Sequence, residues 1–134
     1  MPFVLDASIA MTWAVPEEDD LLATATVRAL DADYAAVPAL FWFEIRNALL
    51  VNERRGRLRP FETQAFLVQL DRLPIRIDRQ PDSDAVLDRA RRHRLTVYDA
   101  AYLELARRLA VPLATLDRRL VAAGQGEAVR PFDP

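Results

Sequence analysis

Apolar positions along this chain follow two patterns. Short segments at residues 3–5, 35–37 and 113–115 are largely apolar, and Ile75-Arg76-Ile77 alternates; all four read as short strands. Between them, apolar residues recur at intervals of three and four, which predicts helices over residues 8–13, 19–30, 39–55, 61–71, 82–92, 96–108 and 118–123. Local punctuation supports several of these boundaries. Gly56 stops the longest helix, Pro60 opens the next, and Gly124 is expected to stop the last. Residues 128–130 form a candidate edge strand. Short buried strands alternating with helices predict a mostly parallel sheet with helices packed on both faces.

Composition narrows the class. With 134 residues and 51% hydrophobic content, the chain can bury one ordinary core, so a single domain over residues 1–134 is expected. The apolar stretch at residues 37–43 contains Pro38 and falls far short of the roughly 18 residues that a membrane span needs. The N-terminus lacks the charged opening of a signal peptide, and Asp6 interrupts its apolar run, so a cytoplasmic location is expected. Cysteine is absent, which removes disulfides, thiolate metal ligands and thiol nucleophiles. Lysine is absent too, which disfavours phosphate loops of the Walker type, Schiff-base chemistry and phosphoaspartate enzymes. Three glycines cannot supply a G-x-G-x-x-G turn where one would be needed. The lone His93 lies in an Arg-rich run, reads as a surface residue, and excludes a ribonuclease built on a pair of histidines.

Four carboxylates stand out against this background. Asp6 ends the first strand, Glu44 lies among Phe41, Trp42, Phe43 and Ile45, Asp99 opens an apolar helix, and Asp117 follows the strand before the last helix. None has a basic residue at helical spacing, and each occupies an apolar setting where an ionised carboxylate is costly without a compensating cation. Glu104 and Asp88 differ, because Arg107, Arg108, Arg91 and Arg92 stand at pairing distance along the helix; these read as ordinary surface pairs. In open α/β sheets, ligands sit beyond the carboxyl ends of the strands, and Asp6 and Asp117 each follow a strand directly. An oxygen-lined site for Mg²⁺ or Mn²⁺ is therefore expected. Capping explains some of the same residues: Asp117 fits an N-cap, and Asp99 fits a capping box begun by Thr96. Glu44 has no such alternative.

Net charge is −2 and the isoelectric point about 5.4, so overall charge gives no sign of a nucleic-acid partner. Its distribution is more specific. Arg54, Arg55, Arg57 and Arg59 follow one helix, and Arg89, Arg91, Arg92 and Arg94 end another. Both clusters suit RNA phosphates, and both equally suit the solvated C-terminal ends of helices.

The segments around the four acids carry a family resemblance. Val4-Leu5-Asp6-Ala7-Ser8, Phe43-Glu44-Ile45-Arg46-Asn47-Ala48-Leu49, Tyr98-Asp99-Ala100-Ala101-Tyr102-Leu103 and Thr115-Leu116-Asp117-Arg118-Arg119-Leu120 resemble, in order and spacing, the motifs of PIN-domain ribonucleases, most closely the VapC-like toxins of toxin-antitoxin modules. The resemblance implies a three-layer α/β/α sandwich around a five-stranded, mostly parallel sheet. It also implies an Mg²⁺- or Mn²⁺-dependent endoribonuclease in which Asp6, Glu44, Asp99 and Asp117 hold the metal, and Ser8 and Thr115 occupy the family's hydroxyl positions. Asn47 matches a further polar position. RNA as substrate, a cognate antitoxin and a homodimer are the implied partners; Phe41, Trp42, Leu49 and Leu50 are candidates for the covered surface. Two other classes remain in view: a non-catalytic nucleic-acid-binding subunit, against which the intact acids argue, and a phosphatase or receiver built on Asp6, against which the missing lysine argues.

Overall fold

A computed structural model of the chain describes residues 1–15 and 20–133. In chain order the elements are β1 (Phe3–Leu5), α1 (Ala7–Ala14), α2 (Leu21–Ala29), β2 (Ala35–Pro38), α3 (Leu40–Arg54), α4 (Pro60–Asp71), β3 (Ile75–Asp78), α5 (Ser83–His93), α6 (Val97–Leu109), β4 (Leu113–Ala114) and α7 (Arg118–Gly126). The expected start of the second helix at Asp19 lies outside the described residues; α2 is capped by Asp20, whose carboxylate accepts the Leu22 and Ala23 N–H groups at 2.8 and 3.1 Å.

The strands form one parallel sheet in the order β3-β2-β1-β4. Alternation along each strand divides the apolar residues between two cores. Phe3, Leu5, Ala35, Val37 and Ala114 pack with Ile9, Leu30, Ile45 and Leu49 from α1 to α3, whereas Val4, Ala36 and Leu113 pack with Tyr102, Leu103, Leu105 and Leu120 from α6 and α7. Burial on both faces explains why β1, β2 and β4 read as apolar, and it gives the three-layer α/β/α arrangement; β3, expected to be buried, is instead a partly exposed edge strand with Arg76 and Ile77 open to solvent.

Three further expectations need correction. The sheet has four strands among the described residues, and residues 128–130 do not form a fifth. Ala128 adopts a left-handed φ of 60°, and the chain reaches the sheet only afterwards, where Leu113 N–H donates to Arg130 O (2.9 Å) and Phe132 N–H to Leu113 O (3.0 Å). The fifth position is thus a single bridge between Leu113 and Pro131, a residue with no N–H to extend a ladder. Next, β4 ends at Ala114, because the Thr115 hydroxyl accepts the Asp117 N–H (3.0 Å) and turns the chain out of the sheet. Finally, α7 runs through Gly124 to Gly126. Gly124 serves a close approach: a Cβ there would stand 3.2 Å from Val129 O. Gly56, by contrast, ends α3 as expected, with φ at 75° and the paired bonds Gly56 N–H to Glu53 O and Arg57 N–H to Asn52 O.

Strand order also locates the site. The chain steps from β1 outward to β2 and β3, then returns to add β4 on the opposite side of β1. The carboxyl ends of β1 and β4 therefore flank the point where winding reverses, the usual place for a ligand crevice in such sheets.

Candidate active site

Asp6 occupies that reversal point, its N–H bound to Ala114 O at 2.9 Å. It precedes α1 in the capping position, yet its side chain makes no cap hydrogen bond. Two hydroxyls use it instead: Ser8 Oγ donates to Asp6 Oδ2 at 2.8 Å and Thr115 Oγ1 donates to the same oxygen at 2.6 Å. Each hydroxyl is itself fixed by a backbone donor, Leu116 N–H to Ser8 Oγ (3.2 Å) and Asp117 N–H to Thr115 Oγ1 (3.0 Å). The buried Asp6 carboxylate is thus held on one side by a rigid bracket that leaves Oδ1 unused by either hydroxyl.

Glu44 comes from the second turn of α3, and half of it is covered. Burial raises its pKa, and the charges of Asp6 and Asp99 raise it further; a hydrogen bond from Tyr102 works the other way. Asp99, in the first turn of α6, is also raised, first by burial and then by the charges of Asp117 and Asp6. Asp117 is the N-cap of α7, its Oδ1 accepting the Arg119 N–H at 2.9 Å and the Leu120 N–H at 3.4 Å. For Asp99, only half of the expected capping box is formed: Thr96 Oγ1 accepts the Asp99 N–H at 3.1 Å. Asp99 thus feels the charges of both Asp6 and Asp117, and Glu44 those of Asp6 and Asp99, which links acids from four separate segments. None takes part in an ion pair among the described residues.

This donor set suits a hard divalent cation. All of its donors are oxygen, and like charges collect there with no ion-pair partner among the described residues. No three carboxylate or imidazole groups among the described residues converge closely enough to enclose an ion unaided.

Other sequence expectations fare unevenly. Asn47 is exposed on α3, with no hydrogen bond linking it to the acids. Of the arginines, Arg89 and Arg92 are committed elsewhere, to the buried Glu127 at 3.2 and 3.1 Å, and Arg92 also to Asp88 at 2.7 Å. Arg54, Arg55, Arg57, Arg59, Arg91 and Arg94 lie at the exposed ends of their helices. His93 is not a simple surface residue: it is partly covered, with Nε2 3.0 Å from Glu127 Oε2. Glu104 is no surface acid either. Its side chain is 3% exposed, bonded to Arg108 at 2.7 Å and accepting the Asp82 N–H at 3.2 Å.

Two contributors escape a reading of the sequence. Tyr102, fully buried, donates its hydroxyl to Glu44 Oε1 at 2.6 Å across 58 positions of sequence. Its pKa is raised by burial and then by Glu44, so it stays a donor. A tyrosine on an inward helix face is a recognisable signal, since its hydroxyl must find a partner. Arg119 is the other, its charge lowering the Asp99 pKa slightly against the acids.

Comparison with known proteins gives the family. The PIN domain family matches residues 3–125. The chain is 34% identical over 123 residues to Ribonuclease VapC3 of Pyrobaculum aerophilum, covering 90% of this chain and 92% of that protein. This chain therefore belongs to the PIN domain family and, within it, to the VapC-type ribonucleases. Among solved structures, PAE2754 from Pyrobaculum aerophilum superposes with a TM-score of 0.69 at 25% identity, covering 94% of this chain and 81% of that one. A toxin-antitoxin complex from Klebsiella pneumoniae shares the fold, with a TM-score of 0.64 at 15% identity and 91% of each chain covered.

Proposed function

We infer that this chain is the toxin of a toxin-antitoxin pair, an endoribonuclease that hydrolyses RNA phosphodiester bonds with Mg²⁺ or Mn²⁺ held by Asp6, Glu44, Asp99 and Asp117. The observation that carries the reading is the meeting, at the β1/β4 reversal point, of acids with no ion-pair partner, two of them with pKa values raised partly by the others' charges. When bound, a divalent cation supplies charge neutralisation for the attacked phosphate and lowers the pKa of a water toward neutrality.

The residues have distinct tasks in this reading. Asp6 offers Oδ1 to the cation while Ser8 and Thr115 fix Oδ2, so the ligand is oriented before substrate arrives. Asp99 and Asp117 complete the binding edge, directly or through water. Asp117 can give Oδ2, because its cap uses Oδ1. Glu44 holds a second ion or orients the attacking water through the oxygen that Tyr102 leaves free. Exposed arginines of the 54–59 and 89–94 clusters draw the RNA backbone toward this edge.

The relatives also inform the partners. Of the residues expected on a partner-covered surface, Phe41 and Leu49 instead point into the core beneath the sheet, while Trp42 and Leu50 are exposed together with Phe43, which is 68% exposed, an apolar strip of α3 suited to a second copy of the chain and to an antitoxin. An antitoxin segment bearing arginine or lysine would meet the acid cluster favourably. No helix among the described residues is long and apolar enough to cross a membrane.

The direct test incubates purified protein with RNA in Mn²⁺ or in EDTA and sequences the new 5′ ends. Cleavage that needs the cation and leaves a 5′-phosphate supports the reading. Cation-independent cleavage, or none by wild type under any divalent ion, removes it.

A further inference from the structure

Tyr102 buries a hydroxyl that packing does not require. It lies on the face of α6 that supplies Leu103, Leu105 and Ala106 to the core under β1 and β2, and it is among the largest fully buried side chains. Phenylalanine would fill the same volume without a polar group to satisfy. The hydroxyl finds its partner on the neighbouring functional helix, at Glu44 Oε1, 2.6 Å away. Glu44 has reason to leave: Asp6 and Asp99 repel it, and no arginine among the described residues pairs with it.

We propose that Tyr102 is a positioning residue of the acid cluster, whose buried hydroxyl anchors Glu44 Oε1 and reserves Oε2 for the cation or the water it carries. A hydroxyl has one proton to give, so it can fix one carboxylate oxygen and leave the other. The anchor acts through a short ring rooted in the core, so it holds Glu44 toward Asp6 before any ion arrives. Ser8 and Thr115 do the same for Asp6, with Oδ2 fixed and Oδ1 left. Two acids from separate elements are thus tethered in one manner, each by hydroxyls on a single oxygen. This rests on the reading that Glu44 belongs to the metal-holding set.

The test uses Tyr102→Phe in the full chain, with Mn²⁺ binding followed by electron paramagnetic resonance in the absence of RNA and turnover measured separately. Loss of a partner that orients a ligand costs about 10- to 100-fold in metal affinity or activity. The expected result is Mn²⁺ binding weakened in that range and a comparable fall in kcat, with KM for RNA unchanged. Leu105→Ala is the structural control: it creates a cavity in the same core, should lower the melting temperature, and should leave Mn²⁺ affinity unchanged. In a Glu44→Gln background, Tyr102→Phe should have no further effect on Mn²⁺ affinity. If Glu44→Gln weakens binding and Tyr102→Phe does not, the positioning role is wrong while the acid cluster stands. Glu44→Gln binding Mn²⁺ and turning over like wild type would remove Glu44 from the set, and the proposal with it. Equal weakening by Leu105→Ala and Tyr102→Phe would reduce the hydroxyl to a packing feature and overturn the proposal.

Discussion

Two groups of carboxylates share this small chain and are treated in opposite ways. Glu127, just past α7, has a side chain only 3% exposed and is surrounded by Arg89, Arg92, His93 and Arg107 at 3.0 to 3.7 Å. Burial alone would push its pKa up, yet the His93 hydrogen bond and the three arginine charges together hold it below the ordinary value. Glu44 and Asp99 have raised pKa values, first from burial and then from the charges of neighbouring acids, with no ion pair among the described residues to offset either. Where the protein needs a fixed joint between α5, α6 and α7, it surrounds an acid with cations. At the edge proposed to bind a cation, it leaves like charges without an ion-pair partner among the described residues, which costs stability in the empty protein.

Substitutions that reverse this contrast should have the largest effects. Asp6→Asn, Asp99→Asn and Asp117→Asn should each reduce divalent-dependent RNA cleavage by about a thousandfold or more, on the order of 4 kcal/mol of transition-state stabilisation. Circular dichroism should show the fold retained. Removing one of the repelling charges should also leave the melting temperature of the EDTA-treated Asp99→Asn protein at or above that of wild type. An Asn variant cleaving RNA at the wild-type rate would take its residue out of the cluster.

Glu127→Gln should do the opposite. Arg89 and its neighbours would lose their counter-charge, a cost on the order of 3 kcal/mol, read as a melting temperature lowered by roughly 10 °C. Residual activity per folded molecule should be unchanged. An unaltered melting temperature would mean that the basic cage finds water instead.

Acid titration sharpens the same contrast. Glu127 has a depressed folded pKa, so its stabilisation is present above the unfolded value and is lost as pH falls through the folded one. Glu44 and Asp99 have raised folded values, so they oppose folding once ionised. Their penalty is absent below the unfolded values and is fully present once pH has risen through the folded ones. In EDTA, Glu44→Gln should therefore flatten the fall in urea midpoint between mildly acidic and neutral pH, and saturating Mn²⁺ should abolish that fall in wild type. A midpoint indifferent to both changes would refute the repulsion.

Smallest of all should be the arginine effects. Reversing Arg54 and Arg55, or Arg91 and Arg94, should shift the RNA concentration for half-maximal rate and flatten its salt dependence by roughly one unit of log-log slope for each phosphate no longer neutralised. Reversing Arg92 should instead lower stability, since its guanidinium already bridges Asp88 and Glu127. An unchanged slope in both paired variants would leave these clusters as solvated helix ends.

Sequence carries the fold wherever local chemistry decides it. The buried strands β1 and β2, Thr96 as a cap and Gly56 as a terminator are local facts, and their elements lie within a residue or two of expectation. Positions decided by partners far along the chain are harder. Gly124 reads as a stop because its approach to Val129 is tertiary, and Glu104 reads as a surface acid because Asp82, at the start of α5, and Asp78, which shares Arg108 with it from β3, arrive only on folding. The acids are legible as a set because their apolar surroundings are written beside them. Their supports are not: Tyr102 and Glu44 meet across two helices, and nothing local to either residue names the other.

The bracket on Asp6 has a consequence in time. Asp6 and Thr115 stand 109 positions apart, and their hydrogen bond depends on β4 lying against β1. During synthesis the first acid emerges early, but its bracket and the last acid come from the final fifth of the chain. A partly made chain lacks the strand that completes this edge, so the cluster assembles only when translation is nearly finished. Were these acids the catalytic set, as proposed, that order of assembly would leave the nascent chain without activity toward the RNA of its own ribosome.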